Sequence, residues 1–285
     1  MFKKKSDKIK CRSIKKWGEI MLQILKEHLG FYRQIIKLSV NELIKEYKGA
    51  ALGPLWAVLK PAFLIFVYWF AFAFGLRHAH KISGHSFVLW LIIGSIPWFY
   101  ISDAIRDGAG SLRSNRHLIT KMPFPRSTVM TFVCLARLYG HIFLLLLGVV
   151  ILLLNGYKPS IYWLQIFFYL PLMYLYFTVL AWITAPLSAL SKDFHNLIKS
   201  VISGLFWLSG IVYDSYSMHA GLVKSIVLAN PITYFVNGYR NTFIYHRWFF
   251  DTRYETGMFF LILAITAVIG SIIFNRVKDD LPDVL

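Results

Sequence analysis

Apolar residues fall into six long runs along the chain, separated by segments rich in glycine, proline, asparagine or charge. A helix that crosses a hydrocarbon layer of about 30 Å needs about 20 residues at a rise of about 1.5 Å each. The runs are near that length and predict an all-α polytopic membrane protein with six transmembrane helices: Leu55–Leu76, Phe87–Ile105, Ser127–Leu154, Ile161–Leu190, Leu197–Tyr213 and Gly257–Asn275. Residues 1–30 lack the apolar core of a cleavable signal peptide, so we expect the first span to target the chain.

The segment before the first span divides into a basic extension, residues 1–30, and a predicted amphipathic helix, residues 31–50, ahead of a transmembrane domain at residues 51–285. Apolar positions of the helix recur every three or four residues and form one stripe: Tyr32, Ile36, Val40, Leu43 and Tyr47. Basic positions flank it: Arg33, Lys37, Lys45 and Lys48. Such a helix favours the headgroup plane of an anionic leaflet; the alternative is a cytosolic helix packed on a partner.

Residues 214–256 are too long and too apolar for a simple external loop. Leu222–Ala229 and Ile232–Ile244 are helix-compatible and are separated by Asn230-Pro231. Because non-helical backbone at membrane depth must be buried in protein or face water, the pattern predicts a re-entrant helical pair over about residues 214–250. The alternative is a pair of interfacial helices lying flat on the outer surface.

Charge orients these spans. The chain has 31 Lys and Arg against 14 Asp and Glu, and 13 of the basic residues fall within the first 48 positions. With a cytoplasmic N-terminus the inside segments hold 22 basic residues and the outside segments 7. Basic residues concentrate on the cytoplasmic side, so the sequence predicts a multi-pass plasma-membrane protein with both termini in the cytoplasm. We expect contact with anionic membrane lipid and none with nucleic acid.

Catalytic signatures are absent from the sequence. It contains no G-x-x-x-x-G-K-[ST] phosphate loop, no H-E-x-x-H and no G-x-S-x-G. Carboxylates after residue 48 lie at or beyond the predicted span ends, which disfavours an ion-coupled secondary transporter. A membrane transferase acting on polyprenyl phosphate needs a carboxylate cluster, and the sequence shows no convincing one. The energy source is therefore expected to be a separate protein.

Three sequence motifs lie along the chain. Residues 50–61, AALGPLWAVLKP, contain LGPLWxxLxP; Asn115 to Arg126 reads N-x-x-L-I-x-K-x-x-F-P-R; and Asn230-Pro231 is followed by Tyr239-Arg240. Together they resemble the ABC-2-type polysaccharide and teichoic acid export permeases over residues 31–285. Further segments resemble the teichoic acid (TagG/TarG-like) branch: residues 137–141, 157–161 and 239–246.

The resemblance implies a homodimer of six-span subunits with the transmembrane domain of ABC-2 (type V) exporters. Each subunit would dock on one of two ATP-binding cassette subunits, which bind ATP and Mg, so this chain is expected to be no enzyme and to bind no cofactor. The implied substrate is wall teichoic acid linked to undecaprenyl diphosphate. The alternative is a permease for capsule or O-antigen polysaccharide.

The resemblance also implies a coupling helix that passes motion from the ATPase to the spans, here expected at Ala109–Ile119. Its side chains would fill a cleft of the ATPase subunit, and we assign this role to Arg113, Asn115, Leu118, Ile119, Lys121 and Phe124. The alternative for this segment is a basic anchor on anionic lipid.

Arg137 and His141 are four residues apart inside an apolar run, where a charge is costly and a functional role is the default. With Tyr68, Trp69 and Phe72 they are candidates for the translocation path. Arg137 has alternatives: an ion pair or backbone bond between helices, or a register that places it near the cytoplasmic interface. The aromatic residues have the alternative of a lipid-facing belt.

A lipid diphosphate needs cations at headgroup depth beside the first span. The candidates are Arg33, Lys37, Lys45, Lys48 and Lys60. A general attraction of the basic surface for anionic lipid is the alternative. Lys60-Pro61 has a second interpretation, in which proline kinks the span and the lysine extends to the headgroups.

Overall fold

The computed structural model describes residues 22–71, 81–82, 84–121 and 124–281, and these are almost entirely helical. Four helices are long and apolar enough to cross a membrane: Phe87–Ser114, Ser127–Leu154, Ile161–Leu190 and Arg253–Val277. They coincide with the second, third, fourth and sixth predicted spans, and their crossing of the membrane stays a prediction. The second extends past the predicted Ile105 to Ser114.

The N-terminal part is built from three helical pieces. Residues 22–30 are helical, Phe31 forms a turn, and helix α1 follows at Tyr32–Tyr47. After a short 3-10 turn comes α2, Trp56–Phe70, which contains Pro61. Helix α2 is the described part of the first predicted span, whose end at Leu76 lies outside the described residues.

A two-residue hairpin, β1 (Lys81–Ile82) paired antiparallel with β2 (His85–Ser86), leads into the central helices. Helix α3 spans Phe87–Ser114, α4 is the short helix Arg116–Lys121, and α5 spans Ser127–Leu154.

Two helices follow α5. A 3-10 turn at Ile161–Gln165 continues into α6, Ile166–Leu190, and α7 spans Lys192–Leu208. The fifth predicted span, Leu197–Tyr213, is therefore wrong in its boundaries. The Ser191 side chain accepts a hydrogen bond from Phe194 N (3.3 Å) and caps the helix earlier than predicted. At the other end Gly210 (φ 66°) takes the left-handed conformation that terminates helices.

The predicted re-entrant region contains α8, Leu222–Ala229, and α9, Pro231–Arg240, followed by a π turn at Asn241–Tyr245 and by α10, Arg253–Val277. The boundary between α8 and α9 coincides with the predicted Asn230-Pro231 break. The Asn230 side chain accepts a hydrogen bond from Ile232 N at 2.9 Å, while Pro231, which has no N–H to satisfy, begins α9. The depth of this break in the membrane stays a prediction.

Helix α3 lies at the centre of the molecule. It packs on α5, α6, α7 and α9. Of its most apolar 18-residue stretch 78% is buried inside the protein, against 28% for the corresponding stretch of α10. Trp90, Leu91, Ile101 and Leu112 along α3 are fully buried. A helix segment that is apolar all round belongs inside a bundle, and the charged residues of α3 fall in its C-terminal part, from Asp103 onward.

Helix α1 has two apolar faces rather than the single predicted stripe. Ile35 and Ser39 are buried against α5, and the Ser39 hydroxyl hydrogen-bonds the Tyr139 hydroxyl at 3.0 Å. On the adjoining face Tyr32, Ile36 and Val40 are exposed, whereas the predicted stripe members Leu43 and Tyr47 are half-buried. The exposed face suits the headgroup plane, and that placement stays a prediction.

Candidate functional site

A cavity of about 490 Å³ opens between the C-terminal end of α1, α2, α3, α5 and α7. Its walls are aromatic, with the rings of Trp56, Tyr68, Trp98, Phe99, Phe206 and Trp207. The side chain of Tyr68 is stacked on Phe206 with centroids 4.8 Å apart, and Trp98 meets the same phenyl ring edge-on at 5.5 Å. The rings therefore support each other and line the cavity from three helices.

One end of this cavity is ionic. Its lining includes three carboxylates and three cations: Glu46, Asp103, Asp107, Lys60, Arg106 and Arg137. Arg137 is the most enclosed of the paired groups, with a side chain 11% exposed. Its guanidinium donates to Glu46 Oε2, and its Nε lies 2.8 Å from Asp107 Oδ2. Arg137 thus joins α1 to α3 through α5.

The predicted ion-pair alternative describes the observed contacts of Arg137. Breaking a buried ion pair by removing one partner leaves a charge uncompensated, at a cost of about 3–5 kcal/mol when burial is complete. Asp103 and Asp107 lie on α3 at and just beyond the predicted span end, Ile105, because that helix continues to Ser114. In the described residues no group of three or more His, Cys, Asp or Glu is arranged to hold a metal ion.

His141, one turn after Arg137 on the same face of α5, connects the cavity to α9. Its Nε2 lies 2.6 Å from the Tyr239 hydroxyl, and its ring centroid is 5.5 Å from that of Tyr100. His141 lines the cavity, and Tyr239, on α9, is fully buried. A displacement of α9 would therefore move His141 in the cavity wall.

Arg240, the last residue of α9, is fully buried. Its guanidinium carbon lies 3.3 Å from the centre of the Trp90 ring system, and the group donates at 2.6 Å to each of the carbonyl oxygens of Gly210 and Ile211. A Cβ at Gly94 would lie 2.6 Å from that guanidinium carbon, so any larger residue there would displace the guanidinium. Arg240 thereby fastens α9 to α3 and to the loop after α7.

Of the predicted path residues, Tyr68, Arg137 and His141 meet in the cavity. Trp69 lies on the opposite side of α2, in the wall of a separate apolar groove. Phe72 lies outside the described residues. Their roles in translocation stay predictions.

Of the five cations predicted to attract a lipid diphosphate, Lys60 lines the cavity. The other four lie exposed along or just beyond α1: Arg33, Lys37, Lys45 and Lys48. Lys45 pairs with Glu42 at 3.5 Å. Sequence reasoning did not assign Arg106, Asp103 or Asp107 to the site, although their spacing of three and four residues places them near one face of α3.

The predicted coupling helix Ala109–Ile119 is divided in the structure. Residues 109–114 end α3, Asn115 has non-helical backbone angles, and α4 begins at Arg116. The Asn115 side chain and the Asn115 backbone N–H both donate to Ser111 O, each at 3.1 Å, where the helix ends.

Most of the side chains assigned to coupling point inward. Leu118 and Ile119 are buried, Phe124 packs edge-on against Phe31 at 5.8 Å, and Arg113 donates to Ala189 O at 3.1 Å. The side chain of Lys121 lies outside the described structure. The exposed residues of α4 are instead Arg116, His117 and Thr120, so a partner that docks here would contact these three.

Comparison with known proteins decides the family. Residues 33–244 match the family described as ABC-2 type transporter. The chain belongs to the ABC-2 type transporter family. It is thus a polytopic membrane protein of the kind that forms the membrane subunit of an ABC transporter, as the motifs predicted.

Individual relatives in this family carry the name O-antigen export system permease protein RfbA. The chain is 26% identical to one from Myxococcus xanthus over 230 residues, covering 80% of this chain and 86% of the relative. It is 25% identical to one from Klebsiella pneumoniae over 269 residues, covering 92% and 98%. These names favour the polysaccharide alternative over the predicted teichoic acid branch.

Proposed function

We propose that this ABC-2 permease exports a lipid-linked polysaccharide of the O-antigen kind across the plasma membrane. The observation that carries the proposal is the cavity with an ionic end and aromatic walls. Aromatic rings present apolar faces that pack on the faces of sugar rings, and Arg137 and Lys60 offer charge-assisted hydrogen bonds to phosphate. The names of the relatives support a polysaccharide as the polymer.

The energy for export comes, in this proposal, from two separate ATP-binding subunits that hold ATP and Mg. The chain lacks a phosphate loop. The exposed side of α4 provides the docking surface, and a homodimer of permeases encloses the path. Both termini lie in the cytoplasm, as the distribution of basic residues predicts.

ATP hydrolysis tests this proposal. The purified permease alone should hydrolyse no ATP, whereas the complex with its ATPase should, and a lipid-linked polysaccharide should stimulate that rate. A lipid-linked polyol phosphate polymer, the teichoic acid alternative, is the matched comparison. Hydrolysis by the permease alone, or stimulation by the polyol phosphate polymer alone, would contradict the proposal.

A further inference from the structure

Four aromatic side chains contact one another on the two connections that precede α6 and α10. Tyr162 belongs to the 3-10 turn before α6, and its ring centroid is 5.4 Å from that of His246 and 5.0 Å from that of Trp248. The Trp248 ring is stacked on Phe250, with centroids 5.6 Å apart and planes inclined by 10°. We call these four residues the ring row. His246 and Phe250 are exposed and the other two half-buried, so the row lies on the surface, at the end of the bundle that the charge distribution predicts to be outside.

The backbone that carries the row is held in place by α6 and the turn before it. The side-chain amide of the buried Gln165 donates to the Arg247 carbonyl oxygen at 2.9 Å and accepts from Phe249 N at 2.8 Å. The Phe249 ring stacks on Phe168 of α6, with centroids 4.2 Å apart. Among the described residues His246 is the one non-glycine with a positive φ, 54°, which costs free energy for a side chain with a Cβ. The loop is therefore fixed before any ligand binds, and a preorganised surface loses less conformational entropy on binding.

Exposed polar side chains border the ring row. The Asp251 carboxylate accepts a hydrogen bond from Trp248 N at 3.1 Å, and both Asp251 and Arg247 are exposed. Sugar rings have C–H faces that pack on aromatic rings, and edge hydroxyls that donate to carboxylates and accept from guanidinium groups. The steps between neighbouring rings of the row, 5.0 to 5.6 Å, are comparable to the length of one pyranose unit in a polymer. Aromatic residues of a membrane belt act singly as amphipathic anchors and need neither this mutual contact nor a fixed loop, so the row suits a chain of sugars better than a lipid.

We propose that the ring row is an exit-side binding site for the exported glycan. Successive pyranose rings pack on Tyr162, Trp248 and Phe250, and their hydroxyls bond to Asp251 and Arg247. The inference rests on the proposed function and adds a second glycan contact, outside the cavity. Binding of a segment that has emerged opposes its return. A polyol phosphate polymer has no sugar ring in its backbone and offers the row no such faces.

Hydrogen–deuterium exchange in the complete transporter tests the site. The permease with its ATPase subunits, in nanodiscs, is titrated with the soluble glycan released from the lipid-linked polysaccharide by mild acid, and amide exchange is mapped by mass spectrometry. We expect slower exchange within residues 157–165 and 246–252. Trp248→Ala should raise the dissociation constant of the glycan by about two- to tenfold, the effect of losing one ring-stacking contact.

A second pair of variants separates binding from folding. Phe250→Ala should weaken binding to a similar degree without loss of structure, because the Phe250 side chain is 54% exposed. Leu222→Ala, at a 77%-exposed apolar position on α8 outside the row, is the matched control and should leave the affinity unchanged. The polyol phosphate polymer of the teichoic acid alternative, likewise freed of its lipid, should give no protection at the row.

Equal protection by the polyol phosphate polymer, protection confined to the cavity helices, or an equal loss of affinity in Leu222→Ala would overturn the inference. Quenching of tryptophan fluorescence by lipids with brominated chains, if Trp248→Phe removes it, would place the row in the bilayer and overturn it as well. Translocation of the lipid-linked polysaccharide without protection at the row would overturn this inference alone. Protection at the row without any such translocation would support the site and contradict the proposed function instead.

Discussion

The guanidinium carbon of Arg240 lies 3.3 Å from the centre of the Trp90 ring system, although 150 residues separate the two in the chain. The same arginine donates to two backbone carbonyls of the loop after α7, and the Trp90 indole donates to the Tyr245 hydroxyl at 2.7 Å. This contact fixes α9 beside the central helix. Because Tyr239, next to Arg240, reaches His141 in the cavity wall, the position of α9 is tied to the shape of the site.

Substituting Arg240 by Met should destabilise the permease by about 2–4 kcal/mol, because it removes a buried stacking contact and leaves two buried carbonyls without donors. Thermal unfolding in detergent, followed by tryptophan fluorescence, measures the effect. A midpoint equal to that of the unsubstituted protein would contradict the assigned contacts.

Gly94→Ala should be destabilising for the same reason, since its Cβ would collide with the Arg240 guanidinium. The two substitutions share one contact, so Gly94→Ala should cost about 1 kcal/mol less when Arg240 is Ala than when it is Arg. Gly257→Ala is the control, because a Cβ there meets no atom within 4 Å. Additive costs in the double variant would place Arg240 elsewhere.

The Arg137 ion pairs should stabilise the contact between α1 and the bundle. Glu46→Gln should cost about 1–2 kcal/mol, less than for a fully buried pair because the Glu46 side chain is 26% exposed. Lys45→Met, which breaks the pair between the 58%-exposed Lys45 side chain and Glu42, should cost about 0–0.5 kcal/mol. Denaturation of both variants in the same detergent gives the comparison, and equal costs would show that the cavity pair is no stronger than a surface one.

Substrate attraction should depend more on Lys60 than on the lysines of α1. Lys45→Ala combined with Lys48→Ala removes exposed cations, which attract any anionic lipid at about 1 kcal/mol each. Lys60→Gln removes a cation from the cavity itself and should raise the lipid-linked substrate concentration for half-maximal ATPase stimulation further than the double variant does. Stimulation curves in nanodiscs of fixed anionic lipid content measure this. A larger shift for the double variant would move the headgroup site to α1.

Coupling to the ATPase should depend on the exposed side of α4. Arg116→Ala combined with His117→Ala should leave folding intact and lower the amount of substrate transported per ATP. Leu118→Ala, at a buried position, should instead lower stability by about 2–4 kcal/mol. Melting curves beside transport-to-hydrolysis ratios separate the two effects. An unchanged ratio in the double variant would exclude α4 as the coupling element.

Apolar length and periodicity predicted the helices well, because a membrane-spanning helix must satisfy its own backbone and so follows directly from a long apolar run. Boundaries were harder to predict. The start of α7 depends on the Ser191 cap and its end on the left-handed Gly210, and α3 ends where the backbone of Asn115 leaves the helical conformation. A hydropathy pattern contains none of these local contacts.

The site was only partly predictable, because periodicity identifies which residues share a helix face but not which residues of other helices that face contacts. Arg137 and His141 were recognised from their spacing, whereas their partners Glu46, Asp107 and Tyr239 come from three other helices. The stripe of α1 shows the same limit. Its apolar residues were identified, but the buried face proved to be the one bearing Ile35 and Ser39.

Vectorial transport of a lipid-linked polysaccharide is the activity that the proposed function requires. The permease and its ATPase subunits are reconstituted in liposomes that contain a lipid-linked polysaccharide, and the arrival of the glycan on the opposite leaflet is followed with an impermeant lectin. We expect glycan translocation that requires both ATP and the ATPase subunits. Translocation without ATP, or no translocation by a complex that hydrolyses ATP when given this substrate, would contradict it.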